Sequence, residues 1–142
     1  MFIIDTNILL NAVNTDSDFH KDICGFFEST MKSNYYFGFT WSILYEFLRV
    51  STHPRVFNSP LSMDMALNFL KPLIDHEKSF IISETDIHND ILLNCISQTH
   101  RITGNLIHDF HIAVLMKEHG VSEIVTFDKD FNAFPWIKIK QV

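Results

Sequence analysis

The 142-residue chain is short of the residues that staple or interrupt a fold, with two cysteines, four glycines and four prolines. Cys24 and Cys95 both fall in helix-like stretches, and neither has a Cys-x-x-Cys partner or a Cys/His cluster nearby. That spacing excludes a disulfide-framed secreted scaffold and a structural zinc motif, and it predicts two buried thiols in a cytosolic protein. No apolar run approaches the roughly 18 to 20 residues that a membrane-spanning helix needs. The apolar N-terminus is broken by Asp5 and has no Lys or Arg ahead of it, so it does not read as a secretion signal. A cytoplasmic protein without a membrane segment is expected. Positive charge is also scarce, with 11 Lys and Arg against 17 Asp and Glu and a net charge of −6. Nucleic-acid-binding domains are usually basic, so this balance counts against such a partner. It does not exclude one, because a bound cation supplies positive charge where a phosphate sits.

Apolar side chains are plentiful. Hydrophobic residues make up 46% of the chain and charged ones 20%, and fourteen phenylalanines supply much of the core volume. These figures predict one folded domain over residues 1–142. Phe2-Ile3-Ile4 reads as a short strand ended by Asp5-Thr6-Asn7, and Ile8 to Val13 as the first turns of a helix. Asp18 to Lys32 carries Ile23, Phe26 and Phe27 at helical spacing. Tyr36 to Phe39 is a second strand, and Thr40 is placed to cap a helix from Trp41 to about Ser51, stopped by Pro54. A helix opens at Leu61-Ser62, with its last turn made uncertain by Pro72. Phe80 to Ile82 is a third strand, and Glu84 to Arg101 a long helix. Gly104-Asn105 punctuates the chain before a helix from Leu106 to His119, which Gly120 closes and Asn105 is placed to cap. Strands over Glu123–Thr126 and Trp136–Ile139 complete the pattern. Short apolar strands alternating with helices predict a three-layer α/β/α sandwich around a mainly parallel sheet of four to five strands.

Carboxylates stand out against this frame. Asp5 follows the first strand directly and Asp128 comes just after Val125-Thr126, so both lie where open α/β sheets bind ligands, at the carboxyl ends of strands. Each is also an ordinary turn former. Asp109 lies near the start of its helix, close in azimuth to Ala113 and Met116 and flanked by Ile112. A carboxylate on so apolar a face is costly unless it is paired or metal-bound, or serves the helix end. Glu46 shares a polar stripe with Ser42 and Arg49, facing either solvent or a cleft. As a set, hard oxygen ligands select Mg²⁺ or Mn²⁺ over Zn²⁺. Ions so held activate water and stabilise the charge on a phosphodiester, often in pairs about 3.5 to 4 Å apart. Asp130 either completes a second site or holds the loop.

Four segments together resemble PIN-domain nucleases. They are Ile3-Ile4-Asp5-Thr6-Asn7, Glu46 in its hydrophobic helix, Gly104-Asn105-Leu106-Ile107-His108-Asp109, and Thr126-Phe127-Asp128-Lys129-Asp130-Phe131. More narrowly, with Ser51-Thr52-His53-Pro54-Arg55-Val56-Phe57, they look like VapC-type toxins of bacterial toxin–antitoxin pairs. The resemblance implies a PIN-like parallel-sheet fold, Mg²⁺- or Mn²⁺-dependent cleavage of RNA, a homodimer and inhibition by a small cognate antitoxin. It assigns Asp5, Glu46, Asp109 and Asp128 to the acidic metal site, with Asp130 as a further acidic position and Asn7 and Thr126 as orienting neighbours. His108 departs from the pattern, standing where a small polar residue is frequent.

Other readings remain. His108 and His111, three apart on one helix, could begin a zinc site, but no second cluster completes it. Arg49, His53 and Arg55 are candidates for phosphate contact, and His53 and Arg55 are equally explained as loop residues around Pro54. The same fold without catalysis would be a binding module. The same metal chemistry would also serve a DNA nuclease or a small phosphatase, because carboxylates alone do not recognise a 2′-hydroxyl.

Overall fold

The chain's structure, a computed structural model, describes residues 1–99 and 102–142. Its elements are β1 (Phe2–Ile4), α1 (Thr6–Val13), α2 (His20–Lys32), β2 (Phe37–Thr40), α3 (Trp41–Ser51), α4 (Met63–Ile74) and β3 (Ser79–Ile82). They continue with α5 (His88–Gln98), α6 (Leu106–Glu118), β4 (Glu123–Val125), a 3₁₀ turn over Lys129–Ala133 and β5 (Lys138–Lys140). The strands form one sheet in the order β3-β2-β1-β4-β5, and every neighbouring pair is parallel. The expected α/β sandwich with a parallel sheet is thus what the chain forms. Among the described residues, no helix is long and apolar enough to cross a membrane.

The strands are short and apolar because helices cover both faces of the sheet. Phe2, Ile3 and Ile4 of β1 are all buried, as are Phe37 and Phe39 of β2 and Ile124 and Val125 of β4. Right-handed crossovers place α1 to α4 on one face, where the chain steps outward from β1 to β3. They place α5 and α6 on the other face, where it returns to β4. Accordingly α1 packs on α2 and α3, α3 on α4, and α5 on α6. The strand order reverses between β1 and β4, and the crevice at their carboxyl ends is the ligand position expected for such a sheet.

Local chemistry sets most boundaries. Thr40 caps α3 by accepting from the Ile43 amide at 3.2 Å, and Ser62 caps α4 through the Met65 amide at 3.2 Å. Pro72 sits in the last turn of α4 without ending it. Gly120, at φ +66°, closes α6, with its amide on the Lys117 carbonyl and the Val121 amide on that of Met116.

Four expectations need correction. Asn105 stands at the start of α6 but its side chain makes no capping bond. The long helix expected over Glu84–Arg101 begins only at His88, because Thr85 and Glu84 are engaged by α6, through Glu118 and His111 respectively. Its expected end at Arg101 lies outside the described residues. The last strand starts at Lys138, since the Trp136 indole instead donates to the Ala113 carbonyl at 2.8 Å. Cys95 is buried, but Cys24 is only half-buried, beside the His20 ring.

Packing in the sheet leaves no room for a side chain at Gly38, paired with Ile3 on one side and Phe80 on the other. A Cβ there would lie 2.5 Å from the Phe80 ring and 2.6 Å from the Phe80 carbonyl oxygen. Gly38→Ala therefore forces β2 and β3 apart. It is expected to cost about 1–3 kcal/mol, read as a lower urea midpoint at unchanged slope.

Candidate active site

At the β1–β4 crevice the first fixed point is Asp5, 7% exposed at the end of β1. It opens α1 as its N-cap, with Oδ1 accepting from the Thr6 amide at 2.6 Å. Its Oδ2 accepts from the Thr126 hydroxyl at 2.6 Å and from Asn7 Nδ2 at 2.7 Å. Burial pushes the Asp5 carboxyl above the ordinary carboxylate range; the Thr126 and Thr6 bonds pull the other way, and the charge of Asp128 adds to the rise.

Thr126 and Asn7 reach from Asp5 to the next carboxylate. Thr126 Oγ1 also accepts from Asn7 Nδ2 at 2.8 Å and from the Asp128 amide at 2.9 Å, while Asn7 Oδ1 accepts the Phe127 amide at 3.2 Å. Thr126 thus leaves the β4 ladder, one residue short of the predicted strand end, to join β1 to the Asp128 turn. Asp128 Oδ1 in turn accepts from the Asp130 amide at 2.8 Å.

Asp109 approaches from the first turn of α6. Ala113 and Met116, which share its side of the helix, are fully buried, so the backbone turns this face inward while the carboxyl reaches the cleft. Desolvation raises its pKa to about 6, and the charges of Asp128, Asp5 and Asp130 push in the same direction. Oxygen atoms of Asp109, Asp128 and Asp130 all lie within 4.8 Å of one another. This is an electrostatically unfavourable arrangement unless a proton or a cation compensates it.

A cleft of about 980 Å³ is lined by Asp5, Asn7, Glu46, Arg49, Asp109 and Asp128, with His108 on its rim. Glu46 is therefore on a cleft wall and not on a purely solvated face, but it is held away from the acidic cluster. Arg49 grips it with two bonds, Nε to Oε2 at 2.8 Å and Nη2 to Oε1 at 2.6 Å. The bonded Arg49 lowers the Glu46 pKa. His53 and Arg55 do not line this cleft; the Arg55 amide bonds His53 Nδ1 in the turn after α3. His111 bonds Glu84 Oε1 at 2.8 Å, whereas His108 lines the cleft, so the two do not begin a joint zinc site. Sequence reasoning left Ser42, Tyr45 and Ile112 without a site role, although all three line the cleft. Ser42 and Tyr45 flank Glu46 on its helix, and that proximity was the available signal.

The Asp109 shift has a signed consequence for stability. Between its ordinary value of 3.8 and about 6, the folded protein holds a proton on Asp109 that the unfolded chain has released. Stability of the metal-free protein therefore falls as pH rises through that window. Asp109→Asn does not titrate there. The melting temperature of this variant is expected to gain on the native protein from about pH 4 to pH 6 and to hold a constant lead at higher pH; a lead independent of pH contradicts the assignment.

The sequence pattern of the family described as PIN domain matches residues 2–137. Ribonuclease VapC37 of Mycobacterium tuberculosis is 34% identical, over 99% of this chain and 96% of that protein. Ribonuclease VapC48 of the same species is 25% identical, over 96% and 93%. Two solved structures share the fold. VapBC2 from Rickettsia felis, bound to a DNA fragment from its promoter, has a TM-score of 0.66 at 18% identity, covering 99% of this chain and 97% of that one. The M. tuberculosis VapC20 structure, described as a Sarcin-Ricin loop cleaving toxin, has a TM-score of 0.64 at 14% identity, covering 97% and 99%. With a carboxylate-lined crevice at its sheet switch point, this chain belongs to the PIN domain family and, within it, groups with the VapC ribonucleases.

Proposed function

We propose that the chain is an Mg²⁺- or Mn²⁺-dependent endoribonuclease, the toxin of a toxin–antitoxin pair. In this reading it is one domain over residues 1–142, acts in the cytoplasm as a homodimer and is held inactive by a small cognate antitoxin. The observation that carries the reading is the convergence of Asp109, Asp128 and Asp130 within 4.8 Å, with Asp109 and Asp128 in the cleft that Asp5 and Glu46 also line. The relatives' name, Ribonuclease VapC, supports RNA as the substrate class, and the paired VapBC2 assembly supports a protein partner.

The residues fit a hard divalent cation. They offer only carboxylate oxygens, with no thiolate and no imidazole in the converging group, and their mutual charge adds to the desolvation that raises the Asp109 pKa to about 6. Asp109, Asp128 and Asp130 would hold the ion, with Asp5 as the buried carboxylate behind them. When bound, such an ion supplies Lewis-acid charge for the phosphodiester oxygens and makes water more acidic.

The protein's own groups do the rest. Thr126 and Asn7 fix Asp5 and, through the Asp128 amide, the turn that carries Asp128. They are positioning residues. Glu46 lines the same cleft, kept ionised by Arg49 on both its oxygens, and would accept a proton from attacking water only with an oxygen freed from that pair. Arg49 keeps an exposed guanidinium edge at the mouth, suited to a substrate phosphate. His53 and Arg55, outside this cleft, would serve only an RNA long enough to leave it. All four acidic positions are present, so a catalytically empty binding module gains no support.

Cleavage of single-stranded RNA is expected to stop with chelator and to return with Mg²⁺ or Mn²⁺. Asn7→Ala and Thr126→Val are expected to lose about 10- to 100-fold in activity, as supporting residues do. Asp5→Asn and Asp109→Asn should lose more. RNA cleavage by Asp5→Asn at the native rate would overturn the reading. DNA or a phosphate monoester cut faster than RNA would replace it with a DNA nuclease or a phosphatase.

A further inference from the structure

A second cleft, of about 570 Å³, adjoins the first and shares Asp128 with it. Its wall carries Phe19, Phe127, Lys129 and Asn132. Phe19 is 50% exposed and Phe127 41%, although their ring centroids lie only 4.7 Å apart. Phenylalanine is usually an interior residue, so two half-exposed rings in contact at the edge of a cleft, tilted by 36°, form an apolar platform.

The platform's backbone is supported from within the active site. Asn7 Oδ1 accepts the Phe127 amide, which anchors the backbone under one ring. The Asn7 carbonyl accepts from Asn11 Nδ2 at 2.6 Å, and Asn11 Oδ1 accepts from the Ser17 hydroxyl. Ser17 Oγ then accepts the Phe19 amide at 3.2 Å, which anchors the backbone under the other. One hydrogen-bonded chain thus links the backbone at both rings to the residue that orients Asp5. Lys129 follows Asp128 directly, and none of the ion pairs among the described residues involves it.

We infer that this second cleft is a substrate subsite for an unpaired nucleotide flanking the scissile phosphate, its base stacked on Phe127 and Phe19 and its phosphate met by Lys129. The inference rests on the ribonuclease reading and adds a binding direction to it. An RNA strand whose phosphodiester sits beside Asp128 must leave the reaction centre, and the shared residue makes this cleft one of its two exits. Aromatic faces beside a cation are the combination that binds single strands without reading their sequence. The consequence is a preference for unpaired over duplex RNA at the cut, since a stacked helix cannot offer its base to the platform.

The test uses the full-length protein and oligoribonucleotides that extend the cleavable step by zero to four nucleotides on either side. In the native protein, kcat/KM rises more steeply with extension on one side than on the other, and 2-aminopurine placed on that side changes its fluorescence on binding. Phe127→Leu and Phe19→Leu are each expected to lower kcat/KM about tenfold on extended substrates, through KM, with a smaller loss on the unextended one. Phe127→Trp restores it. Lys129→Gln flattens the salt dependence of log affinity by about 0.7. The inference is overturned if the leucine variants lose equally at every length, or lose nothing. It is also overturned if they bind RNA natively but no longer self-associate or bind the antitoxin, which would make the platform a protein interface. A native protein that cuts no RNA at all overturns the ribonuclease reading itself, a result distinct from cleavage that ignores extension.

Discussion

The buried carboxylate of Asp5 is the constraint on which the rest of the site depends. Its two oxygens receive three short bonds, from the Thr6 amide, the Thr126 hydroxyl and Asn7 Nδ2. Without these donors, an ionised group 7% exposed between two apolar strands would cost several kcal/mol. Satisfying it dictates local structure on both sides. Asp5 must leave β1 to cap α1, and Thr126 must leave β4 to donate. The Thr126 oxygen, now fixed, then collects the Asp128 amide and so sets the turn that aims Asp128 into the cleft.

The sheet supplies what local chemistry cannot. β1 is central, with β2 and β3 to one side and β4 and β5 to the other. Residues 5 and 126 meet only because the chain, after building outward to β3, crosses back beneath the opposite face and pairs β4 with β1 in register, Ile4 opposite Val125. The same crossover carries α6, so Asp109 arrives at the carboxyl end of the same two strands. α3 follows β2 and presents Glu46 and Arg49 from the flank. Asp5, Asp109 and Asp128 reach one crevice because each comes just after a strand or in the first turn of a helix packed on the sheet, whereas Glu46 reaches its wall from the middle of α3.

Much of this was legible in the sequence, and the misplaced element boundaries have a common cause. The apolar triplet before Asp5, the Thr40 cap and Gly120 are local signals, and each works locally in the folded protein. Asp109 was legible through its azimuth, because Ala113 and Met116 mark which side of α6 faces inward. The misjudged boundaries are those where a side chain far away in the chain takes over. Glu118 and His111 claim Thr85 and Glu84 and so delay α5, and the Ala113 carbonyl claims the Trp136 indole and delays β5. Glu46 fits both patterns, because an i, i+4 polar stripe looks the same whether it faces water or a cleft. The Phe19–Phe127 platform gave no periodic signal, since the two rings meet through tertiary structure alone.

The acidity of the chain, which argues against a nucleic-acid partner when averaged over the surface, has a different meaning at the crevice. A net charge of −6 repels a polyanion in general. At the crevice the repulsion is concentrated: oxygen atoms of three carboxylates lie within 4.8 Å of one another, and their charges add to the desolvation that raises the Asp109 pKa to about 6. The same crowding strengthens the attraction for a divalent cation, since each carboxylate stabilises an ion that relieves it of its neighbours. Cation affinity and phosphate exclusion are therefore one property of one cluster. Positive charge contributed by the chain itself, from Arg49 in one cleft and Lys129 in the adjoining one, lies outside that cluster. In the proposed reading, charge so placed would attract a strand without neutralising Asp109, Asp128 and Asp130.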